Sequence, residues 1–139
     1  MAQETITQAK ESFRKGLQAL KDRNFAEASA YFETAVDLRP ENIEHHYHLA
    51  YAYLLRGQFP LSMRVINRAV KLDPSKVKTY TLQNPYAAFF VLAGMIHQGQ
   101  KNMDKAIRSY EKAILMGSEK KEQLQQRIEQ LKKKISQKK

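Results

Sequence analysis

Residues 25–40 read FAEASAYFETAVDLRP and residues 59–74 read FPLSMRVINRAVKLDP. Aligned, Phe25 meets Phe59, Ala28 meets Ser62, Phe32 meets Ile66, Ala35 meets Ala69, Leu38 meets Leu72 and Pro40 meets Pro74, each 34 residues apart. Gly16 and Ala50 carry the same offset upstream. A fixed period of that length marks a supersecondary unit that buries its apolar face by stacking on neighbouring copies. Ala50 to Gly94, Ser62 to Ala106, Ile66 to Tyr110 and Ala69 to Ala113 are separated by 44 instead, so a third unit follows an insertion of ten residues.

Apolar residues recur at helical spacing on both sides of short polar turns, so each unit reads as a helical hairpin. The expected helices run over 7–22 and 25–38, with Arg23 and Asn24 turning between them, and over 43–56 and 59–72, with Gly57 as terminator. Gly16, Ala50 and Gly94 are expected to face Ala28, Ser62 and Ala106, where small side chains let helix backbones approach, while Phe32, Ile66 and Tyr110 fill the space between hairpins. The insertion, 77–86, is polar and ends in Asn84-Pro85, an N-cap followed by a first-turn proline. It is expected to be a surface connection. After Gly117, Ser118 is expected to cap a last helix whose stripe of Leu124, Ile128, Leu131 and Ile135 closes the apolar end of the stack. The same stripe also suits a two-stranded coiled coil.

These residues resemble the tetratricopeptide repeat family, whose signature is a large residue, Leu-Gly, a Tyr and, after a turn, Ala, an aromatic, Ala and Pro. The copies read Gly16, Ala19, Phe25, Ala28, Phe32, Ala35, Pro40; then Leu49, Ala50, Tyr53, Phe59, Ser62, Ile66, Ala69, Pro74; then Phe90, Ala93, Gly94, Met103, Ala106, Tyr110, Ala113. Ser12 and His46 stand where Trp is typical, Lys15 replaces Leu, and Ser118 replaces the closing Pro. The resemblance implies an all-α, right-handed α-solenoid of seven helices in a single domain over 1–139. Its repeats lie at about 9–42, 43–76 and 87–118, with a capping helix over 119–136.

At 139 residues, three repeats are the minimum that buries a continuous core. The chain has no Cys, which removes disulfides, thiol nucleophiles and thiolate zinc sites and suits a reducing compartment. The first ten residues hold no apolar signal core, and the longest apolar run, 86–96, is about half a membrane span. A cytoplasmic chain without a transmembrane segment is expected. Of the net charge of +10, residues 118–139 carry about +5 and residues 1–42 about −1.

His45, His46 and His48 are the one cluster with candidate chemistry. His45 and His48 share a helical face, yet Glu44 is a poor third ligand and no metal is expected. No phosphate loop, nucleophile elbow or metalloprotease pair occurs, so neither enzymatic activity nor a cofactor is expected. Basic residues form ridges on second helices, Arg64, Arg68 and Lys71, then Lys105, Arg108 and Lys112, followed by Lys132, Lys133, Lys134, Lys138 and Lys139. They offer an alternative function, binding nucleic acid or an anionic surface.

One subclass of the resembled family grips acidic chaperone peptides with Lys, Arg and Asn at fixed first-helix positions. Here those positions hold Phe13, Leu17, His48, Ala88 and Leu92, without charge or amide. Phe13, Leu17, Tyr47, His48, Tyr51, Leu55, Val91, Leu92 and Met95 form apolar surface surplus to hairpin packing. The resemblance places them on the concave groove. The expected partner is therefore another protein, bound through an apolar peptide or amphipathic helix, by a monomer or a weak homo-oligomer joined through the C-terminal helix.

Overall fold

A computed structural model describes residues 2–75 and 84–138. Its described residues form seven helices and no strand: α1 (Ala2–Lys21), α2 (Phe25–Leu38), α3 (Ile43–Leu55), α4 (Phe59–Ala69), α5 (Pro85–Gly99), α6 (Met103–Leu115) and α7 (Lys121–Gln137). Contacts divide the chain into two compact units, Met1–Gln83 and Asn84–Lys139. The first holds α1 to α4, in which α2 packs on α1 and on α3, and α3 on α4. The second holds the α5–α6 hairpin with α7 packed on α6. Residues 77–83 of the expected 77–86 insertion lie outside the described residues.

Each hairpin turn is built the same way. Arg23, Gly57 and Lys101 occupy equivalent positions with φ of 59°, 75° and 63°, the left-handed conformation that ends a helix. Asn24, Gln58 and Asn102 then donate their backbone N–H groups to Ala19, Tyr53 and His97 carbonyls, five residues back. The reversal thereby satisfies carbonyls that a helix end leaves open. Gly117 (φ 89°) and Ser118, whose N–H reaches the Ala113 carbonyl, repeat the motif after α6.

Four helix starts, those of α2, α3, α5 and α6, are capped by asparagine side chains. Asn24 accepts from Glu27 N, Asn42 from Glu44 N, Asn84 from Ala87 N and Asn102 from Lys105 N, at 3.0–3.2 Å. The expected Asn84-Pro85 start is thus present. Ser118 departs from its expected role: its Oγ accepts from Lys120 N two residues on, closing a local turn, and α7 begins only at Lys121. The fourth helix also ends three residues before Leu72, where Val70 closes it and Asp73 turns back on Ser75.

The core of the first unit joins Ala19, Ala28, Phe32, Leu49, Ala52 and Tyr53 from three helices. In the second, Ala106, Ile107, Tyr110 and Ala113 meet Leu124, Ile128 and Leu131 of α7. The α7 stripe therefore packs on α6 within its own unit, with Ile135 half-buried at its end. A Cβ placed on Gly16 or Gly94 would meet the ring of Phe32 or Tyr110. In the middle hairpin the expected close approach is seen directly, where Ser62 Oγ donates to the Ala50 carbonyl at 2.6 Å.

Candidate functional site

In the first unit, α1 and α3 bring four rings into a run. Phe13 lies 4.9 Å from the His48 ring, edge-on, and His48 lies 5.4 Å from Tyr47, also edge-on. Tyr47 stacks on Tyr51, with centroids 6.5 Å apart and planes 11° from parallel. The last pair is four residues apart on one helix, which places both rings on one face. Phe32 lies 5.5 Å from the same His48 ring and 5.6 Å from Phe13, so the three rings form one cluster. Phe13, Tyr47, His48 and Tyr51 are all half-buried, and Leu55, one turn beyond Tyr51, is exposed. Leu17 is half-buried against the core of this unit. Burial, followed by the neighbouring Tyr51, pushes the Tyr47 phenol up from its ordinary pKa.

The three histidine rings of α3 are tied to backbone carbonyls. The ring nitrogens of His45, His46 and His48 bond to the carbonyls of Ala35, Pro40 and Glu44 at 3.2, 2.8 and 2.9 Å. Burial is the largest influence on all three and lowers their pKa values. Among the described residues, no group of three potential ligands could hold a metal.

The second unit treats its three candidates differently. Leu92 is only 1% exposed, so it leaves the set of surface residues and belongs to the interior. The resemblance implies a groove position for it, but α5 is apolar nearly all round, and apolar spacing cannot rank the faces of such a helix. Val91 and Met95 are half-buried against the α6–α7 core. With Tyr110, Lys120, Leu124 and Arg127 they line a recess of about 170 Å³. Its α7 members were not among the sequence candidates; the nearest signal was the basic character of the C-terminal segment. The cations Arg64 and Arg68 of α4, Lys71 just past its end, and Lys105, Arg108 and Lys112 of α6 are exposed, with Lys112 Nζ 4.8 Å above the Phe90 ring. Of the C-terminal cluster, Lys132, Lys133, Lys134 and Lys138 are exposed, and Lys139 lies outside the described residues. No helix among the described residues is long and apolar enough to cross a membrane.

Residues 13–77 and 87–116 match the tetratricopeptide repeat family, about two thirds of the chain. Hsp70-Hsp90 organizing protein 3 of Arabidopsis thaliana is 25% identical over 108 residues, 78% of this chain and 18% of that protein. This chain thus spans less than a fifth of the relative's length. The Arabidopsis OM64 TPR domain superposes with a TM-score of 0.74 at 16% identity, covering 93% of this chain and 98% of that domain. The TPR2B domain of yeast Sti1, solved as its pHsp70 complex, superposes with a TM-score of 0.72 at 18% identity, covering 96% and 99%. With hairpins in 34-residue register and these matches along its length, the chain belongs to the tetratricopeptide repeat family.

Proposed function

We propose that this chain is a protein-binding module, a cytoplasmic adaptor or small chaperone, that holds an apolar peptide or amphipathic helix on its first-helix aromatic surface. The observation that carries this reading is the run Phe13, His48, Tyr47, Tyr51, which continues to the exposed Leu55. Large rings with few rotatable bonds supply contact area at low entropic cost, and a preformed surface spares the partner further ordering. Phe13, His48 and Phe32 brace one another, so Tyr47 and Tyr51 are offered from a rigid base. The pHsp70 complex of the Sti1 domain and the name of the Arabidopsis relative support a peptide-bearing partner. Phe13, Leu17, His48, Ala88 and Leu92, uncharged at the positions that the chaperone-binding subclass uses, favour an apolar anchor.

A pull-down from native lysate tests the reading, with the intact chain beside a Tyr47→Ala, Tyr51→Ala variant and an Arg64→Glu, Arg68→Glu variant. Each Tyr change is expected to weaken capture by about 1 to 3 kcal/mol, with reversal of Arg64 and Arg68 having little effect. Capture that survives both Tyr changes, or that disappears on charge reversal and in salt, overturns it in favour of an electrostatic binder.

A further inference from the structure

The recess between α5 and α7 has an apolar floor and a cationic rim. Val91 and Met95 reach it from α5 and Leu124 from α7, Tyr110 closes the wall and Gln123 adds an amide. The two cations on the rim are Lys120, the residue that precedes α7, and Arg127, about two turns along it. No carboxylate lines the recess. Arg127 is also held: its Nη1 donates to Gln98 Oε1 at 3.1 Å, and the same oxygen accepts from the Tyr110 hydroxyl. The guanidinium keeps further N–H donors for a ligand. A volume of about 170 Å³ takes an aliphatic side chain but not a long helix face.

We propose that this recess is a subsite for a peptide segment that carries an aliphatic side chain beside a carboxylate. The side chain enters between Val91, Met95 and Leu124, and the carboxylate meets Arg127 and Lys120. Charge complementarity selects this occupant. A second copy of a chain with net charge +10 is repelled as a whole. A nucleic acid finds the cations but no ring to stack on, because Tyr110 is buried. The proposal rests on the protein-binding reading and adds to it a carboxylate requirement at a site that lies wholly within the second unit.

The test is methyl NMR of the full chain with three ten-residue peptide pools, in which Leu, Ile or Val alternate with Asp or Glu, with Asn or Gln, or with Lys. A short single-stranded oligonucleotide forms a fourth arm. The acidic pool is expected to shift the methyls of Val91, Met95 and Leu124, and the amide pool to bind at least tenfold more weakly. Lys120→Gln and Arg127→Gln should each weaken the acidic pool severalfold, with Arg127→Lys intermediate. Lys120 has no part in the Gln98 network, so its variant reports the rim without disturbing the fold, which a melting curve checks. Tyr47→Ala with Tyr51→Ala should leave these shifts intact, so loss of the aromatic reading is seen separately. Equal binding of acidic and amide pools, unmoved methyls with the acidic pool, or equal shifts with the oligonucleotide overturns the proposal.

Discussion

An ideal Cβ at Gly16 would stand 2.5 Å from Phe32 Cε1, and one at Gly94 would stand 2.3 Å from Tyr110 Cε1. Neither ring can retreat, since Phe32 is 0% and Tyr110 1% exposed. In the middle hairpin the equivalent pair is Ala50 and Ile66, where the smaller partner leaves room for a methyl. Gly16→Ala is therefore expected to lose about 1 to 3 kcal/mol by overpacking despite the better helix propensity of Ala. Adding Phe32→Ile should recover part of that loss. A double-mutant cycle by urea denaturation checks it, and simple additivity would show that the ring is not the obstacle. The caps allow a gain. Asn24 and Asn102 each cap their helix, while Gln58, at the same point of the repeat, makes no side-chain cap bond. Gln58→Asn should raise stability by about 0.5 to 1 kcal/mol, read as a higher urea midpoint at unchanged slope.

At the scale of elements, α7 carries the clearest energetic role. Its Leu124, Ile128 and Leu131 are buried among α6 residues, and Ile135 is half-buried beside them. Complete burial of such a side chain is worth about 1.5 to 3 kcal/mol, an upper value because the unfolded chain already hides some surface. A variant ending at Gly117 should lose most of the stability of the second unit and expose apolar surface. The expected readout is a lower melting temperature with increased dye binding, and an unchanged melt would show that α7 contributes little to the core. The heptad-like stripe was plain in the residues, but whether it would face α6 or another chain was not. Periodicity defines a face and leaves its occupant open. Helix ends followed the same division. The second helix runs over Phe25–Leu38 as its spacing predicts, whereas α1 begins five residues before Thr7 and α4 stops three before Leu72. Ends fray or cap according to local hydrogen bonds that apolar spacing does not encode.

For the whole molecule, histidine burial sets a pH dependence. His45, His46 and His48 in the first unit, and His97 in the second, have pKa values lowered chiefly by burial. The unfolded chain, with ordinary values near about 6.5, therefore takes up protons first as the pH falls. Stability is full above that value and is lost as the pH drops through it toward the lowered folded values. Melting temperature should fall between pH 7.5 and 5.5, and amide exchange should quicken earlier in the first unit, which holds three of the four histidines. Equal acid sensitivity in both units, or none, would count against this account. The repeat register by itself determined the hairpins, their turns and the family, because the sizes of Gly16, Ala28, Phe32 and Ala35 and their copies are local demands of helix-to-helix contact. It also marked Phe13, Tyr47 and Tyr51, whose apolar character exceeds what one hairpin can bury. Only the tertiary structure decided that Leu92 is interior, that Phe13 braces His48, and that Arg127 and Lys120 rim a recess with Val91 and Met95. Those outcomes depend on which residues, distant along the chain, remove a side chain from water, and burial is a property of the packed neighbours rather than of the residue.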